Sequence, residues 1–307
     1  MGHFSGGFIN LYKKPNISSM QSSKPLKKIF TKEKIGHIGT LDPAAEGVLP
    51  IAIGKATKLI EFVLKDSKTY KATIEFGVET DTLDLEGKII KTKDTKHINE
   101  KLIKEKLKEF IGNIDQIPPA YSAIKISGQR AYKIKRKGEE PKMPSRKIKV
   151  KNIHIVNFTK KNINNMRPTV EVEIECATGF YVRSFARDLS YACKTVGTLT
   201  HLQRLSVSTL HIDNAHNIEK IINNKQKILD FIIPMNEIIQ LPKIVLLDHD
   251  INFIQNGKLI KIDNYESQIN ALNEDDNYMC VDKNENIACI AKINPKEQFI
   301  KPFKVLI

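Results

Sequence analysis

The sequence contains no tryptophan, only four cysteines and no long apolar run. The cysteines, at positions 176, 193, 280 and 289, lack Cys-x-x-Cys spacing, which argues against a zinc motif or a disulfide framework. Their apolar neighbours predict reduced core thiols, and because no signal-peptide pattern is visible we expect a cytoplasmic protein. No apolar stretch approaches the roughly 20 residues that span a bilayer, so we expect no membrane association.

Metal and phosphate-loop motifs are also missing. The eight histidines are scattered, without an HExxH motif or paired ligand spacing. The glycines near residues 34–59 match neither GxxxxGK[ST] nor GxGxxG. We therefore expect no metal site and no phosphate loop.

Acidic residues are too few to balance the basic ones, which leaves a formal net charge of +14. This excess favours a polyanionic partner, nucleic acid ahead of a membrane surface, although a generally lysine-rich proteome is an alternative explanation. Eleven basic residues between Lys125 and Lys151 face only Glu139 and Glu140. From Leu241 onward, eight lysines and ten acids give a net charge of −2, so we expect polyanion contacts mainly on residues 1–240.

Alternating polarity predicts two half-buried strands, YKATIEF at 70–76 and TVEVEIEC at 169–176. Residues 99–112 predict a helix with Asn99 as the N-cap, Gly112 just past its end, and an apolar stripe of Leu102, Ile103, Leu107, Phe110 and Ile111.

A second helix is predicted over FYVRSFARDLSYACKTVG, residues 180–197, with Gly197 closing it. Its inward face is predicted to carry Val182, Phe185, Leu189, Ala192, Cys193 and Val196. Strands and helices do not alternate as regular βαβ units, so the fold class predicted is α+β rather than a doubly wound sheet.

A domain boundary is predicted near PMNEIIQLPK, residues 234–243, which carries two prolines. Beyond it, YMCV and IACIAKI flank the turn-rich DKNEN, which predicts a small β-rich unit. We therefore expect one domain over residues 1–237 and a second over residues 238–307.

The stretch KIGHIGTLDPAAEGVLPIAIGKATKL, residues 34–59, places an aspartate among glycines. Asp42 precedes Pro43, which biases its backbone away from the helical region, while Gly36, Gly39 and Gly47 allow close backbone approach. Two interpretations are open at this point. The loop holds a carboxylate near a ligand, or the Asp-Pro turn only reverses the chain.

This stretch resembles the signature of the TruB-type tRNA pseudouridine synthases, in which GHxGTLDP, GVLP and GxAT surround the catalytic aspartate. Further blocks follow the family order over about residues 5–235. They are FINLYKKP, KTYKATIEFGVETDTLDLEG, QIPPAYSAIKISGQRAYKIKRKGE, CATGFYVRSFARDLS and HLQRLSV.

The resemblance implies a pseudouridine-synthase fold, with a mixed, mostly antiparallel central sheet flanked by helices and a small β-rich C-terminal domain that is a divergent PUA-like unit. It implies isomerisation of uridine to pseudouridine at position 55, in the T loop of tRNA, after the base is flipped out. It implies no cofactor, the tRNA T stem-loop as partner, no obligatory protein partner, and a monomer. The basic segment 125–151 corresponds to a clamp over the T stem-loop.

The resemblance places Asp42 at the essential aspartate, acting as a nucleophile, as an electrostatic group or as a base on the ribose. Because a buried ionised carboxylate requires a cationic partner, Arg183, which matches the family arginine, is its expected pair. Arg187 is an alternative, although the adjacent Asp188 suggests a surface pair. Tyr70 matches the tyrosine that stacks on the base and helps to move the C5 proton, with simple core packing as the alternative.

Four further residues fall on substrate-binding positions of the family. Tyr181 matches a second pocket tyrosine and Leu202 an apolar wall. His37 matches the histidine that fills the gap left by the flipped nucleotide. Lys14 matches the lysine of a Lys-Pro pair, which supports the pocket or a phosphate.

Departures from the family pattern include Ile17 at a usual glycine, Ile38 and Phe180 at usual threonines, and AAEG at 44–47. None removes a catalytic residue type, but they put RNA contacts near Ile38 and Glu46 in doubt. Two other functions stay open, a tRNA-binding folding factor with dispensable or lost catalysis and a guide-RNA-dependent rRNA synthase. The second usually requires partner-docking extensions, which are not seen.

Overall fold

The computed structural model describes residues 5–64, 67–160, 167–269, 276–294 and 298–307. The strands, in chain order, are β1 (Gly6–Lys13), β2 (Ile35–His37), β3 (Glu46–Gly54), β4 (Lys68–Phe76), β5 (Val78–Thr80), β6 (Ile89–Thr92), β7 (Gly112–Gln116), β8 (Lys125–Ile126), β9 (Gln129–Arg130), β10 (Arg146–Thr159), β11 (Thr169–Cys176), β12 (Gly197–Val207), β13 (Leu210–His211), β14 (His216–Asn217), β15 (Lys243–Val245), β16 (Ile260–Lys261), β17 (Asn277–Val281), β18 (Ile287–Asn294) and β19 (Phe299–Val305). The helices are α1 (Ser19–Ser23), α2 (Leu26–Ile29), α3 (Ile60–Leu64), α4 (Glu100–Leu107), α5 (Ala131–Arg136), α6 (Val182–Ala192), α7 (Ile218–Asn223), α8 (Met235–Ile238) and α9 (Asp248–Gln255).

A large mixed sheet organises the first part of the chain. Its strand order is β14-β1-β3-β12-β4-β11-β10-β7, with β2 added to β3 and β13 added to β12. Within this described sheet the β1–β14 and β3–β12 pairs are parallel, and the other pairs are antiparallel. The α+β class and the mostly antiparallel central sheet are therefore confirmed.

The predicted strands are confirmed as β4 and β11, which pair with each other in the middle of the sheet. Tyr70, Ala72, Ile74 and Phe76 of β4 are buried, because alternate side chains point to one face of a strand. That face packs against α6, whose Phe185 and other apolar residues fill the core between helix and sheet. The edge of this core meets the loop that carries Asp42.

The two predicted helices exist but end earlier than expected. Asn99 caps α4 as predicted, since its side chain accepts a hydrogen bond of 3.0 Å from the backbone N–H of Leu102. The helix tightens into a 3-10 turn after Leu107, and Ile111 lies outside it with 43% exposure, so its place in the apolar stripe is wrong.

Helix α6 ends at Ala192, and Gly197 is the first residue of β12 rather than the helix terminator. The turn after α6 uses Lys194, which has a φ of 59°. A Cβ atom at Gly197 would collide with the side chain of Ser190. This glycine therefore permits close packing of the strand on the helix, a requirement that the sequence pattern does not distinguish from helix termination.

The C-terminal part forms a separate sheet in the order β15-β17-β18-β19-β16. The predicted strands YMCV and IACIAKI are found as β17 and β18, which pair around the turn at 282–286. Met279 and Ile290 of this sheet share a buried cluster with Phe8 and Val48 of the large sheet. The β-rich C-terminal sheet is thus confirmed, and it packs on the first part of the chain.

In the ranges that the structure describes, no helix has the length and apolar character needed to cross a bilayer. Within the same ranges, no group of three His, Cys, Asp or Glu side chains is arranged to hold a metal ion. All four cysteines are free and buried, as their apolar neighbours predicted.

Candidate active site

Asp42 lies in the loop between β2 and β3, in a tight turn that its own backbone closes. The carbonyl of Asp42 accepts a hydrogen bond of 3.1 Å from the N–H of Ala45. Leu41 is buried, and both its N–H and its carbonyl bond the hydroxyl of Ser19 at 2.9 Å. The side chain of Asp42 nevertheless stays 44% exposed and lines a cleft. The turn reverses the chain and also exposes the carboxylate of Asp42 to the cleft, and its role toward a ligand stays a prediction.

Lys13 stabilises this turn through hydrogen bonds from its ammonium group. It is fully buried, and its ammonium group donates to the carbonyls of Lys14, Pro43 and Ala45. Burial lowers the pKa of Lys13 to about 8, although the negative charge of Asp42 opposes the shift. A cation that binds the carbonyls of Pro43 and Ala45 fixes the backbone directly after Asp42 and ties it to the end of β1.

The structure does not bring the predicted Lys14 to this site. Successive residues of a strand point in opposite directions, so Lys14 faces outward, where its ammonium lies 2.7 Å from the carboxylate of Glu219 on the surface. Asn16, with a φ of 65°, provides the left-handed turn that follows.

Arg183, in the first turn of α6, pairs with Asp42 as expected. Its Nε lies 3.0 Å from Oδ2 of Asp42, and its Nη1 lies 3.4 Å from Oδ2 of Asp84. The remaining N–H groups donate to the carbonyls of Thr82 and Tyr121, each at 3.1 Å. Arg183 is itself 7% exposed, so it is an anchored cation rather than a surface arginine.

The alternative arginine lies elsewhere. Arg187 pairs with Asp188 at 2.8 Å and donates to the carbonyl of Ile117. The surface pair that the sequence suggested is therefore present, and Arg183 alone of the two arginines contacts Asp42.

A cleft opens in front of the Asp42–Arg183 pair. Its walls include Asp42, Ala45, Asp84, Arg183, His201 and Leu202. Three of the predicted site residues, Asp42, Arg183 and Leu202, therefore line the same cleft. The carboxylate of Asp42, held 3.0 Å from Nε of Arg183, lines this cleft, and a carboxylate oxygen so placed can attack or stabilise an electron-poor carbon.

Tyr70 is 8% exposed and is not among the residues that line this cleft. It belongs to the same buried cluster as Leu41 and Ala45, which flank Asp42. Burial raises the pKa of Tyr70, and the charge of Arg204, its cross-strand neighbour on β12, opposes that rise. Tyr70 is therefore both part of the core and adjacent to the Asp42 loop.

Tyr181 and His37 do not line the cleft in front of Asp42. The backbone N–H and carbonyl of Tyr181 bond the side chain of Gln116 at 2.8 and 3.1 Å. Burial raises the pKa of Tyr181, and the hydroxyl of Ser122 opposes the shift. His37 ends β2, with Nε2 at 3.2 Å from the hydroxyl of Thr40, and burial lowers its pKa.

Sequence reasoning missed Lys13, Asp84 and Arg204 as site residues. Asp84 is the last residue of the T-D-T-x-D block and shares Arg183 with Asp42. Arg204 is the arginine of the L-x-R block, and it is fully buried. Both signals were present in the family blocks, but a motif does not state which of its polar residues face inward.

Glu46 accounts for one departure from the family pattern. Its carboxylate accepts hydrogen bonds from the hydroxyl of Tyr12 at 2.7 Å and from the amide of Gln203 at 3.2 Å. Nε2 of His201, on the cleft wall, lies 3.1 Å from the same carboxylate. The unusual glutamate is thus held by three neighbours at the rim of the cleft.

Comparison with known proteins identifies the family of this chain. Residues 27–182 match the profile of the TruB family pseudouridylate synthase N-terminal domain. The chain belongs to the TruB family. It is 38% identical to the tRNA pseudouridine synthase B of Clostridium tetani over 256 residues, covering 83% of this chain and 86% of that protein. It is 42% identical to the tRNA pseudouridine synthase B of a Nostoc species over 209 residues, covering 68% and 70% of the two chains.

Among solved structures, the fold resembles a chain in the crystal structure of a Cbf5-Nop10-Gar1 complex, with a TM-score of 0.74 at 22% identity. The match covers 99% of this TruB-family chain and 86% of the other. The large sheet and the C-terminal sheet both lie within the matched length. The pseudouridine-synthase fold inferred from the sequence is confirmed.

Proposed function

We propose that this protein isomerises uridine to pseudouridine in the T loop of tRNA, at position 55, with Asp42 as the essential residue. The observation that carries the proposal is the Asp42–Arg183 pair, 3.0 Å apart at the mouth of a cleft, in a chain of the TruB family. Relatives named tRNA pseudouridine synthase B support tRNA as the substrate.

The reaction breaks the bond from ribose C1′ to N1 of uracil, turns the base, and forms a bond from C1′ to C5. The proton on C5 is then lost, and N1 gains a proton, so atoms and charge balance without an external reagent. Asp42 acts on the ribose, by adding to C1′ or by removing a sugar proton. Either route uses a carboxylate oxygen of Asp42, and the contact with the guanidinium of Arg183 holds that carboxylate in one orientation.

The other predicted residues have roles in holding the base. Leu202 provides an apolar wall, and Tyr70 provides an aromatic face near the Asp42 loop. Stacking holds a base without fixing its rotation, which suits a reaction in which the ring must turn. Tyr181 and His37 border the space that the flipped nucleotide and its neighbours occupy.

Binding of RNA by the basic segment 125–151 offsets the free energy needed to flip out the base. It comprises the β8–β9 hairpin, α5 and the start of β10. Of its eleven basic residues all but Lys135 are exposed, and Lys135 pairs with Glu140. Phosphate contacts from such a surface can offset the few kcal/mol that base flipping requires. We assign residues 1–237 to the catalytic domain and residues 238–307 to a divergent PUA-like domain.

The proposal is tested with T-stem-loop RNA that carries tritium at C5 of uridine. The parent protein should release tritium to water, and Asp42→Asn should not. Asp213→Asn is the matched control, because Asp213 is an exposed aspartate that pairs with His211 away from the cleft. Tight RNA binding by the parent without tritium release would instead support the alternative, a tRNA-binding folding factor.

A further inference from the structure

Arg204 is a buried cation whose hydrogen bonds go to the backbone of the Asp42 loop and its flank. The residue is 1% exposed. Its Nε donates to the carbonyl of Val48 at 2.7 Å, and its Nη2 donates to the carbonyl of Gly39 at 2.8 Å. Gly39 lies three residues before Asp42, and Val48 lies six residues after it. The guanidinium therefore holds both ends of the segment that presents the carboxylate.

The same guanidinium faces Tyr70. Arg204 and Tyr70 are direct partners in the β4–β12 register, so their side chains share one face of the sheet. The charge of Arg204 opposes the effect of burial on the pKa of Tyr70. Arg204 thus touches the strand that carries the tyrosine and the loop that carries the aspartate.

Two glycines of the signature stretch fit around this arginine. A Cβ atom on Gly39, where φ is +70°, would lie 3.1 Å from Nη1 of Arg204. A Cβ atom on Gly47, where φ is +107°, would collide with the backbone carbonyl of Arg204. The glycines on both sides of Asp42 therefore permit close approach to one residue of β12.

Packing alone does not explain a charge at this position. None of the ion pairs formed by the described residues involves Arg204. A buried charge without a carboxylate partner is costly, and an apolar side chain of similar length would fill the space at lower electrostatic cost. The positive charge also lowers the pKa of His37, after burial, so its field reaches a third predicted site residue.

We propose that Arg204 is a positioning residue that fixes Tyr70 and the Asp42 loop in one arrangement, so that the ring and the carboxylate meet the same nucleotide. This inference rests on the proposed function, because it assigns Tyr70 and Asp42 to one substrate. Arg204 itself acts through these two groups and lies too deep to touch RNA.

The test is a double-mutant cycle on the single-turnover rate of tritium release. Arg204→Met removes the charge and keeps the volume, and Tyr70→Phe removes the hydroxyl and keeps the ring. Loss of one charge-assisted contact is expected to slow the parent about tenfold or more. In the Tyr70→Phe background, the factor by which Arg204→Met lowers the rate is expected to be smaller by about threefold or more. The reason is that part of the effect of Arg204 passes through the Tyr70 hydroxyl.

Two further readouts separate positioning from a general loss of structure. Affinity for a fluorescent T-stem-loop RNA is expected to change less than about twofold in Arg204→Met, since Arg204 does not reach the surface. If Arg204→Met fails to fold, the cycle is made with Arg204→Gln, which removes the charge but keeps an amide that can donate to one of the two carbonyls. Arg204→Lys, which keeps the charge but cannot span Val48 and Gly39, is expected to recover only part of the rate.

Rate effects of Arg204 and Tyr70 that multiply independently, in either version of the cycle, would overturn the inference. Full activity of Arg204→Met would overturn it as well. These failures are distinguishable from failure of the proposed function. If the parent releases no tritium the proposed function fails, whereas a parent that turns over with an additive cycle contradicts only the role of Arg204.

Discussion

Replacement of Arg183 by methionine is the perturbation that bears most directly on the Asp42 site. Arg183 is the shared cation of two carboxylates, at 3.0 Å from Asp42 and 3.4 Å from Asp84. Methionine preserves much of the side-chain volume in the first turn of α6. It leaves the two carboxylates without the cation between them, so Asp42 loses the contact that fixes its orientation.

The expected size of the effect follows from the burial of the pair. A hydrogen bond to a charged group contributes about 1.5–3 kcal/mol, and unpairing a buried carboxylate costs about 3–5 kcal/mol. Asp42 is 44% exposed, so water screens part of this interaction. A loss of about 2–3 kcal/mol is therefore expected, which lowers the rate roughly 30- to 150-fold at 1.4 kcal/mol per factor of ten.

The assay is single-turnover release of tritium from C5 of the target uridine at saturating protein. Arg187→Met, one helical turn away, is the matched control, because Arg187 pairs with Asp188 and not with Asp42. The melting temperature of both variants shows whether the fold persists. A folded Arg183→Met variant that keeps its rate within about threefold of the parent would refute the role given to this pair.

Three further predictions concern stability and RNA binding. The folded-state pKa of Lys13 is about 8 instead of 10.5. Between these pH values Lys13 is protonated in the unfolded chain but largely neutral in the folded one. The free energy of unfolding therefore rises with pH across that window. Urea unfolding of Lys13→Met should lack this rise, which amounts to at most about 3 kcal/mol, and an identical pH slope in both proteins would contradict the shift. Asn99→Ala removes the cap of α4 and should cost about 1 kcal/mol in the same measurement, and no change would mean that the cap is not formed. Reversing the charge of exposed Arg130 and Lys147 to glutamate should weaken T-stem-loop binding and reduce its dependence on salt, while an unchanged salt slope would remove the segment 125–151 from the RNA interface.

Periodicity predicts the elements of this fold better than it predicts their ends. The alternation in 70–76 and 169–176 reports one buried face, and that face exists in β4 and β11. Gly197 fails as a helix terminator because it serves packing between β12 and Ser190, a contact made only in the folded chain. Local sequence patterns do not contain such contacts.

Some residues of the candidate site could be predicted from the sequence, and others could not. Asp42 and Arg183 were recognised because family blocks mark them, and the structure brings them together. Lys13 ends β1 and Lys14 follows it, and only the direction of each side chain decides which one reaches the Asp42 turn. Arg204 required knowledge of its cross-strand partner Tyr70, which depends on the register of β4 and β12.

The most direct test of the account is a crystal structure of this protein with T-stem-loop RNA that carries 5-fluorouridine at the target position, since fluorine replaces the C5 hydrogen and the final deprotonation at C5 cannot take place. The account predicts a flipped nucleotide in the cleft, with a carboxylate oxygen of Asp42 within about 3.5 Å of the sugar or bonded to it, and with Arg183 still paired. A target nucleotide that stays stacked in its loop, or a sugar bound out of reach of Asp42, would contradict it.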